Sequence, residues 1–253
     1  MAGWAVVDGV LVPLHDARVP ITDVQFTHGL GVFETLEVRP GVDPGPNLAR
    51  FAESAAAIGA RCPDEAVVRA EIDQVVAAIG GSAWVRLNLT GDGRRQVWAT
   101  PIEPSRRHVP VRARRATHHD DPLLPGSVKH RSRGAWAAAL RRLRVDELLF
   151  VDGAGRFTEG TSCAVLAVVD GVVWTARWDG RILRSTTLER LLKHAEALQI
   201  PVSRSGPLSE GPWDALYVAS TTRSLSPVVE LDGRALPAWD PVGAALARAD
   251  TPT

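Results

Sequence analysis

The chain has 253 residues, 45% of them hydrophobic and 23% charged, and a formal net charge of zero at pH 7. That suits a folded protein of one large domain or two modest ones. Balanced charge argues against broad attachment to nucleic acid, and no run of 18 apolar residues exists to span a membrane.

In chain order, Trp4–Val7 and Val10–Pro13 alternate around Asp8-Gly9, the pattern of a short β-hairpin. Residues 31–38 make a second strand, closed by Arg39-Pro40-Gly41. Apolar residues at helical spacing predict a helix over 48–58, ending at Gly59. A second helix is predicted over 64–79, after Pro63 and before Gly80-Gly81. Residues 84–89 and 96–101 read as paired strands, and 103–128 as an irregular strand and loop. Beyond it come a helix over 135–144 and a hairpin of 147–152 with 156–158 over Gly153-Ala154-Gly155. Residues 163–169 and 172–175 make another hairpin, turning at Asp170-Gly171. An amphipathic helix over 188–198, strands over 215–219 and 228–231, and a short tail helix after Asp240 complete the pattern.

Cys62 and Cys163 are too few for a disulfide framework or a dedicated zinc site, and no metal is expected. The first residues lack a basic stretch before an apolar core, so no signal peptide is read there and the expected location is the cytoplasm. Of 29 basic residues, only Lys129 and Lys193 are lysines. High-GC coding bias accounts for that scarcity, but it leaves two candidates for any amine chemistry.

Lys193 stands beside the leucine stripe of its helix and reads as a solvated residue. Lys129 follows Pro125-Gly126 and precedes a helix. A lysine at such a junction can enter a cleft, lose hydration and become nucleophilic at neutral pH. A solvated loop lysine is the competing reading. Glu159, leaving a strand before Gly160, is either a turn residue or a buried carboxylate that needs a cationic partner. A protonated pyridine nitrogen would serve. Ser185 or Thr186 can cap the helix that follows, with Glu189 near a capping-box position. The same helix start, with its N–H groups and hydroxyls, can bind phosphate. A second hydroxyl cluster, Ser220-Thr221-Thr222, follows a strand.

Taken in order, these features resemble the class IV aminotransferases, pyridoxal-phosphate enzymes of fold type IV. The matching stretches are 28–36 (His-Gly-Leu-Gly-Val-Phe-Glu-Thr-Leu), 47–54 (Asn-Leu-Ala-Arg-Phe-Ala-Glu-Ser), Lys129-His130, Val145-Asp146-Glu147-Leu148-Leu149, Thr158-Glu159-Gly160, 182–187 (Ile-Leu-Arg-Ser-Thr-Thr), Ser220–Thr222 and Ser226-Pro227-Val228. They cover residues 28–233 in the family's order. The resemblance implies a two-lobed mixed α+β fold. The expected division is a small N-terminal α+β lobe over 1–112, an interdomain loop over 113–128 and a larger cofactor-binding lobe over 129–253. It also implies a homodimer with each site at a junction of lobes, and a small amino-acid or amine substrate.

By the same resemblance, Lys129 is the internal aldimine lysine and proton carrier of bound pyridoxal 5'-phosphate, and Glu159 partners its pyridine nitrogen. Arg50, Thr186, Thr187, Ser220, Thr221 and Thr222 are assigned to its phosphate, and Leu183 to its ring. For Arg50 a helix-surface charge is the alternative. Phe33, Arg94, Arg95 and Arg133 are assigned to the substrate, the arginines as carboxylate ligands, with a solvated helix arginine the alternative for Arg133. Departures from the family pattern are Ala164 for an asparagine, Ser185 for a glycine, Leu188 for an arginine and Gly91 after Thr90 in place of Thr-Arg-Gly. They obscure specificity and leave the cofactor set intact. Lys129-His-Arg-Ser-Arg133 is similar to the corresponding stretch of some 4-amino-4-deoxychorismate lyases, and this is the expectation for the reaction. The alternatives are a D-amino-acid or R-amine transaminase and a member that binds the cofactor without catalysis.

Overall fold

The computed structural model describes residues 3–118, 121 and 124–251. Two compact units emerge, one of residues 1–103 with 127–133, the other of 104–126 with 134–253.

The first unit is built on an antiparallel sheet. Its elements are β1 (Trp4–Val7), β2 (Val10–Pro13), a short helix α1 (Val24–His28), β3 (Gly31–Val38), helices α2 (Gly45–Ala57) and α3 (Glu65–Ile79), β4 (Ala83–Thr90) and β5 (Arg95–Pro101). The order across the sheet is β2-β1-β5-β4-β3. Asp8 and Gly9 both take positive φ, 48° and 89°, which is the two-residue turn whose twist matches a hairpin. The alternation of β3 places Val32, Glu34 and Leu36 on one face and Phe33 and Thr35 on the other. The first face meets α2, and Val32, Leu36, Leu48, Phe51, Ile72, Val75, Leu87 and Leu89 close the core there. Burying each such leucine or isoleucine contributes about 1.5–3 kcal/mol.

β3 lies at the sheet's edge and would present unpaired N–H and C=O groups. Residues 127–133 cover it. The Phe33 N–H donates to the Lys129 carbonyl at 3.0 Å and the Arg131 N–H to the Gly31 carbonyl at 2.8 Å, with Val32 and His130 bridged between them. This edge pairing explains why Lys129 belongs to the first unit and not, as expected, to a lobe beginning at 129.

The second unit holds β6 (Val111–Thr117), α4 (Gly134–Leu143), β7 (Glu147–Val151), β8 (Phe157–Gly160), β9 (Ala164–Val169), β10 (Val172–Thr175), α5 (Thr186–Ala197), β11 (Val202–Ser203), β12 (Ala215–Ser220), β13 (Ser224–Leu231), β14 (Arg234–Ala235) and α6 (Pro241–Asp250). The expected interdomain loop over 113–128 is therefore shortened at its start. Its first residues belong to β6, which pairs with β13 and β7 inside this sheet. His119, Asp120, Pro122 and Leu123 of that loop lie outside the described residues.

Strand order runs β11-β10-β9-β12-β13-β6-β7-β8, and β8 pairs back onto β9. The pairings thus close a ring of β8, β9, β12, β13, β6 and β7, filled by residues such as Val111, Leu149, Phe157, Val165, Leu216 and Val228. A second apolar layer joins β9 and β12 to α5 and α6 through Leu166, Val168, Leu188, Leu191, Leu192, Tyr217 and Leu246. The tail helix is anchored rather than loose. Buried Asp250 accepts from Arg190 Nε at 2.6 Å and Nη2 at 3.0 Å, and from the Ser224 hydroxyl.

Candidate active site

Each unit carries one cluster of the expected residues. In the first unit, Glu34 from β3 and Arg50 from α2 form a buried pair, 0% and 6% exposed. Arg50 Nε donates to Oε2 and Nη2 to Oε1, both at 2.8 Å. The fork satisfies both carboxylate oxygens, which lets the two charges sit at the rim of an apolar core. Arg50 is thus not the surface charge that its place beside Phe51 left open. Burial pushes the Glu34 carboxyl up, but Arg50, Lys129 and the Thr35 amide together outweigh it and hold it below the ordinary range.

Lys129 is fixed through its backbone. Its N–H donates to the Ser54 hydroxyl of α2 at 3.1 Å, and its carbonyl holds β3. Burial of the amine pulls its pKa from 10.5 down to about 7. Glu34 opposes the drop, and the positive charges of Arg50, Arg133 and Arg86 add to it. A large fraction is then neutral at physiological pH, the form a nucleophile or base needs. Lys193, by contrast, is exposed on α5, as its place beside the leucine stripe predicts.

The opposite face of β3 gathers cations around the Phe33 ring. Arg86 Cζ lies 3.6 Å from the ring centroid, Arg133 Cζ 4.9 Å, Lys129 Nζ 5.0 Å and Arg131 Cζ 6.0 Å. Cation–π attraction partly offsets their mutual repulsion. Burial, then Arg131 and Arg133, draw the Arg86 guanidinium down to about 9, so it stays charged at neutral pH. Arg86 donates to the Thr35 hydroxyl at 3.1 Å and Arg131 to Asn88 Oδ1 at 3.3 Å. Arg133 precedes α4 and stands on the segment that covers β3, not on a helix.

Arg94 and Arg95 do not join this cluster. Arg94 donates to Asp8 at 3.1 Å, and Arg95 forks onto buried Glu71 of α3, with Nη2 at 2.8 Å. Both serve the β4–β5 turn and its neighbours β1 and α3. Within this chain local carboxylates engage both.

In the second unit, Glu159 is the penultimate residue of β8 and faces Ala164 across the β8–β9 pairing. Its Oε2 accepts the Leu183 N–H at 3.1 Å. The two lie in one recess with Thr158, Ile182, Ser185 and Trp178. Gly160 is required next to it. A Cβ there would stand 2.5 Å from Cys163 Sγ and 3.1 Å from the Leu148 carbonyl. Ser185 is the N-cap of α5, accepting from the Leu188 N–H at 3.2 Å, so Thr186 and Thr187 open the helix's first turn. Glu189 does not complete a capping box; it lies one residue beyond the required position and pairs with Arg204 at 3.3 Å. Ser220, Thr221 and Thr222 are half-buried at the turn between β12 and β13.

Sequence reasoning assigned no part to Glu34, Arg86, Arg131 or Glu147. A signal existed for Glu34: strand alternation places it on the apolar face with Val32 and Leu36, where a charge demands a partner.

Comparison with known proteins places the chain in a family. Residues 31–231 match the class IV amino-transferase family, and the chain belongs to it. A putative branched-chain-amino-acid aminotransferase of Methanocaldococcus jannaschii is 26% identical, over 90% of this chain and 88% of its own length. The fold IV-transaminase CpuTA1 of Curtobacterium pusillum is 27% identical, with a TM-score of 0.86 over 97% of this chain and 98% of that one. A hypothetical aminotransferase from Mycobacterium tuberculosis in its PLP-bound form superposes with a TM-score of 0.85 at 23% identity, over 97% of this chain and 96% of that one. The fold is that of fold type IV, and the protein is an enzyme of a family that works with pyridoxal 5'-phosphate. Taken by itself, each unit carries side chains whose chemistry suits such a group: a near-neutral buried amine in the first, and a carboxylate and a hydroxyl-lined helix start in the second. Among the described residues no helix is long and apolar enough to cross a membrane, and no group of His, Cys, Asp and Glu could hold a metal ion.

Proposed function

We propose that this chain transfers the amino group of an amino acid, with Lys129 as the residue that joins the cofactor aldehyde and moves the proton at the substrate Cα. The observation that carries this reading is the Lys129 amine, brought to about 7 by burial and by the arginines around it. Bound pyridoxal 5'-phosphate supplies the electron sink for the Cα carbanion. Glu159 would face its pyridine nitrogen and favour the protonated form. Arg50, Thr186, Thr187 and the Ser220–Thr222 turn would hold its phosphate, and Leu183 would lie against its ring. Glu34 orients Arg50 while keeping Lys129 from losing its proton too far below neutrality. The cationic face around Phe33 takes the substrate carboxylate through Arg86, Arg131 and Arg133, and the bulk of these side chains keeps water from the reacting carbon.

The names of the similar proteins favour transfer over elimination. A second reading, a 4-amino-4-deoxychorismate lyase releasing 4-aminobenzoate and pyruvate, draws on one observation: three arginines around a single ring suit a substrate with more than one carboxylate. A homodimer belongs to both readings. Ile21 and Phe26, 78% and 70% exposed before β3, support a covered face there.

Single-turnover spectroscopy separates the two. The holoenzyme is mixed in turn with L-leucine, L-glutamate and D-alanine, and conversion to the pyridoxamine form is followed. Full conversion by at least one amino acid is expected. No conversion by any of them, with 4-aminobenzoate released from aminodeoxychorismate without an acceptor, would establish the lyase instead.

A further inference from the structure

Glu147 of β7 is buried, 1% exposed, and no step above uses it. Its carboxylate accepts from two separate turns. From the turn between β8 and β9 come the Thr161 hydroxyl, the Ser162 hydroxyl and the Ser162 N–H at 3.2 Å. From the turn between β12 and β13 comes Arg223 Nη1 at 2.6 Å. The first turn begins beside Glu159, and in the second Arg223 directly follows Ser220-Thr221-Thr222.

We propose that Glu147 is a positioning residue that sets the pyridine-nitrogen carboxylate and the phosphate hydroxyls in register with each other. This rests on the parts proposed above for Glu159 and Thr221. The geometry leaves the first turn little other freedom. The Gly160 N–H donates to the Cys163 carbonyl at 2.8 Å and the Thr161 N–H to the Leu148 carbonyl at 3.0 Å, so backbone and Glu147 hold it from both sides. The second turn is pinned at Arg223 twice, through its guanidinium to Glu147 and through its carbonyl, which accepts the His108 N–H at 3.0 Å.

Only a carboxylate can do this. It offers two oxygens with about four acceptor positions and no donor, and its charge both strengthens each bond and matches Arg223. An amide of the same shape turns one acceptor into an NH2 group facing a guanidinium or hydroxyl donor. A residue that merely supported the sheet would lower stability without distinguishing one end of the cofactor from the other. A residue that registers the two turns must affect both ends, and the Arg223 arm must act on the phosphate end alone.

The test compares binding of pyridoxal 5'-phosphate with binding of phosphate-free pyridoxal, read by quenching of tryptophan fluorescence, with circular dichroism reporting the fold. Glu147→Gln is expected to weaken pyridoxal phosphate about tenfold, the scale found when outer-shell partners of metal ligands are removed, and pyridoxal by a smaller factor. Arg223→Leu should reproduce the phosphate-selective part alone. Ser162→Ala should weaken both ligands equally and slightly. A folded Glu147→Gln protein that binds both ligands like wild type overturns the proposal. If that variant does not fold, the other two decide, and equal losses of both ligands in Arg223→Leu overturn it. Wild-type protein that fails to bind pyridoxal phosphate would instead overturn the reading on which the proposal rests.

Discussion

Glu34 in the first unit and Glu147 in the second are both strand glutamates buried against an arginine, and the two pairs are built differently. Glu34 and Arg50 form a closed fork in which one partner nearly exhausts the other's carboxylate oxygens. Glu147 shares its oxygens among two hydroxyls, an amide and Arg223. The first arrangement sets charge: it lies close enough to Lys129 for both partners to act on the amine, in opposite directions. The second sets backbone, because its donors belong to two turns. Burying an ion pair gains little by itself against its desolvation cost. What the two pairs give the enzyme is a tuned amine in one unit and a fixed register in the other.

The largest expected effect tests the charge-setting side. Lys129→Ala should lose the visible absorbance that pyridoxal phosphate gains on joining a lysine, and activity should fall at least about 10²–10⁴-fold. Lys193 is exposed on α5 and offers no substitute. A retained band in the purified variant would sink the assignment.

Next in size is stability. Arg50→Ala takes the guanidinium fork from Glu34 in the core and leaves it only the Thr35 amide and Lys129, at a cost of about 3 kcal/mol, measured by urea unfolding of the cofactor-free protein. Arg223→Ala should cost less, because Arg223 is partly exposed and the hydroxyls and amide remain on Glu147. Equal losses at the two sites would erase the contrast between them.

The pH dependence sharpens it further. In the folded, cofactor-free chain Lys129 loses its proton near 7, while in an unfolded chain it keeps it to about 10.4. Between those values the unfolded state binds more protons, so this group's contribution to stability rises with pH through that window and stays at its unfavourable limit below it. The rate of cofactor attachment should therefore climb through about pH 7 and level off above it. Glu34→Gln removes the charge that opposes the drop, and the midpoint should move to lower pH. A midpoint that moves up, or stays, contradicts the placement of Glu34 beside the amine.

The smallest effect concerns the Phe33 face. Arg131→Ala should raise the KM for a carboxylate substrate several-fold, about 1 kcal/mol for one partly exposed cation, with kcat little changed. A fall in kcat at constant KM would place Arg131 in the chemistry instead.

Much of this was legible along the chain. The hairpin at Asp8-Gly9, β3 and the α3 boundaries follow from alternation, turn chemistry and a terminal glycine, which act over a few residues. Lys129, Glu159, Arg50 and the Thr186-Thr187 helix start were singled out by motif order, and their proposed parts rest on it. The ion pairs of Arg94 and Arg95 were not legible, because their partners, Asp8 and Glu71, are distant in sequence and close only after folding. The lobe boundary failed for a similar reason. Nothing local in Gly126-Ser-Val-Lys129 says that it will satisfy the open edge of a strand almost a hundred residues earlier.

By itself, then, the sequence determined the local elements, the family and the scarcity of lysine, since these depend on short-range periodicity and residue chemistry. Only the tertiary structure decided which of those side chains are buried, which charges share a partner and which strand edge carries Lys129. A pKa, a paired carboxylate or a registered turn exists only once chain segments remote in sequence have displaced water from between them.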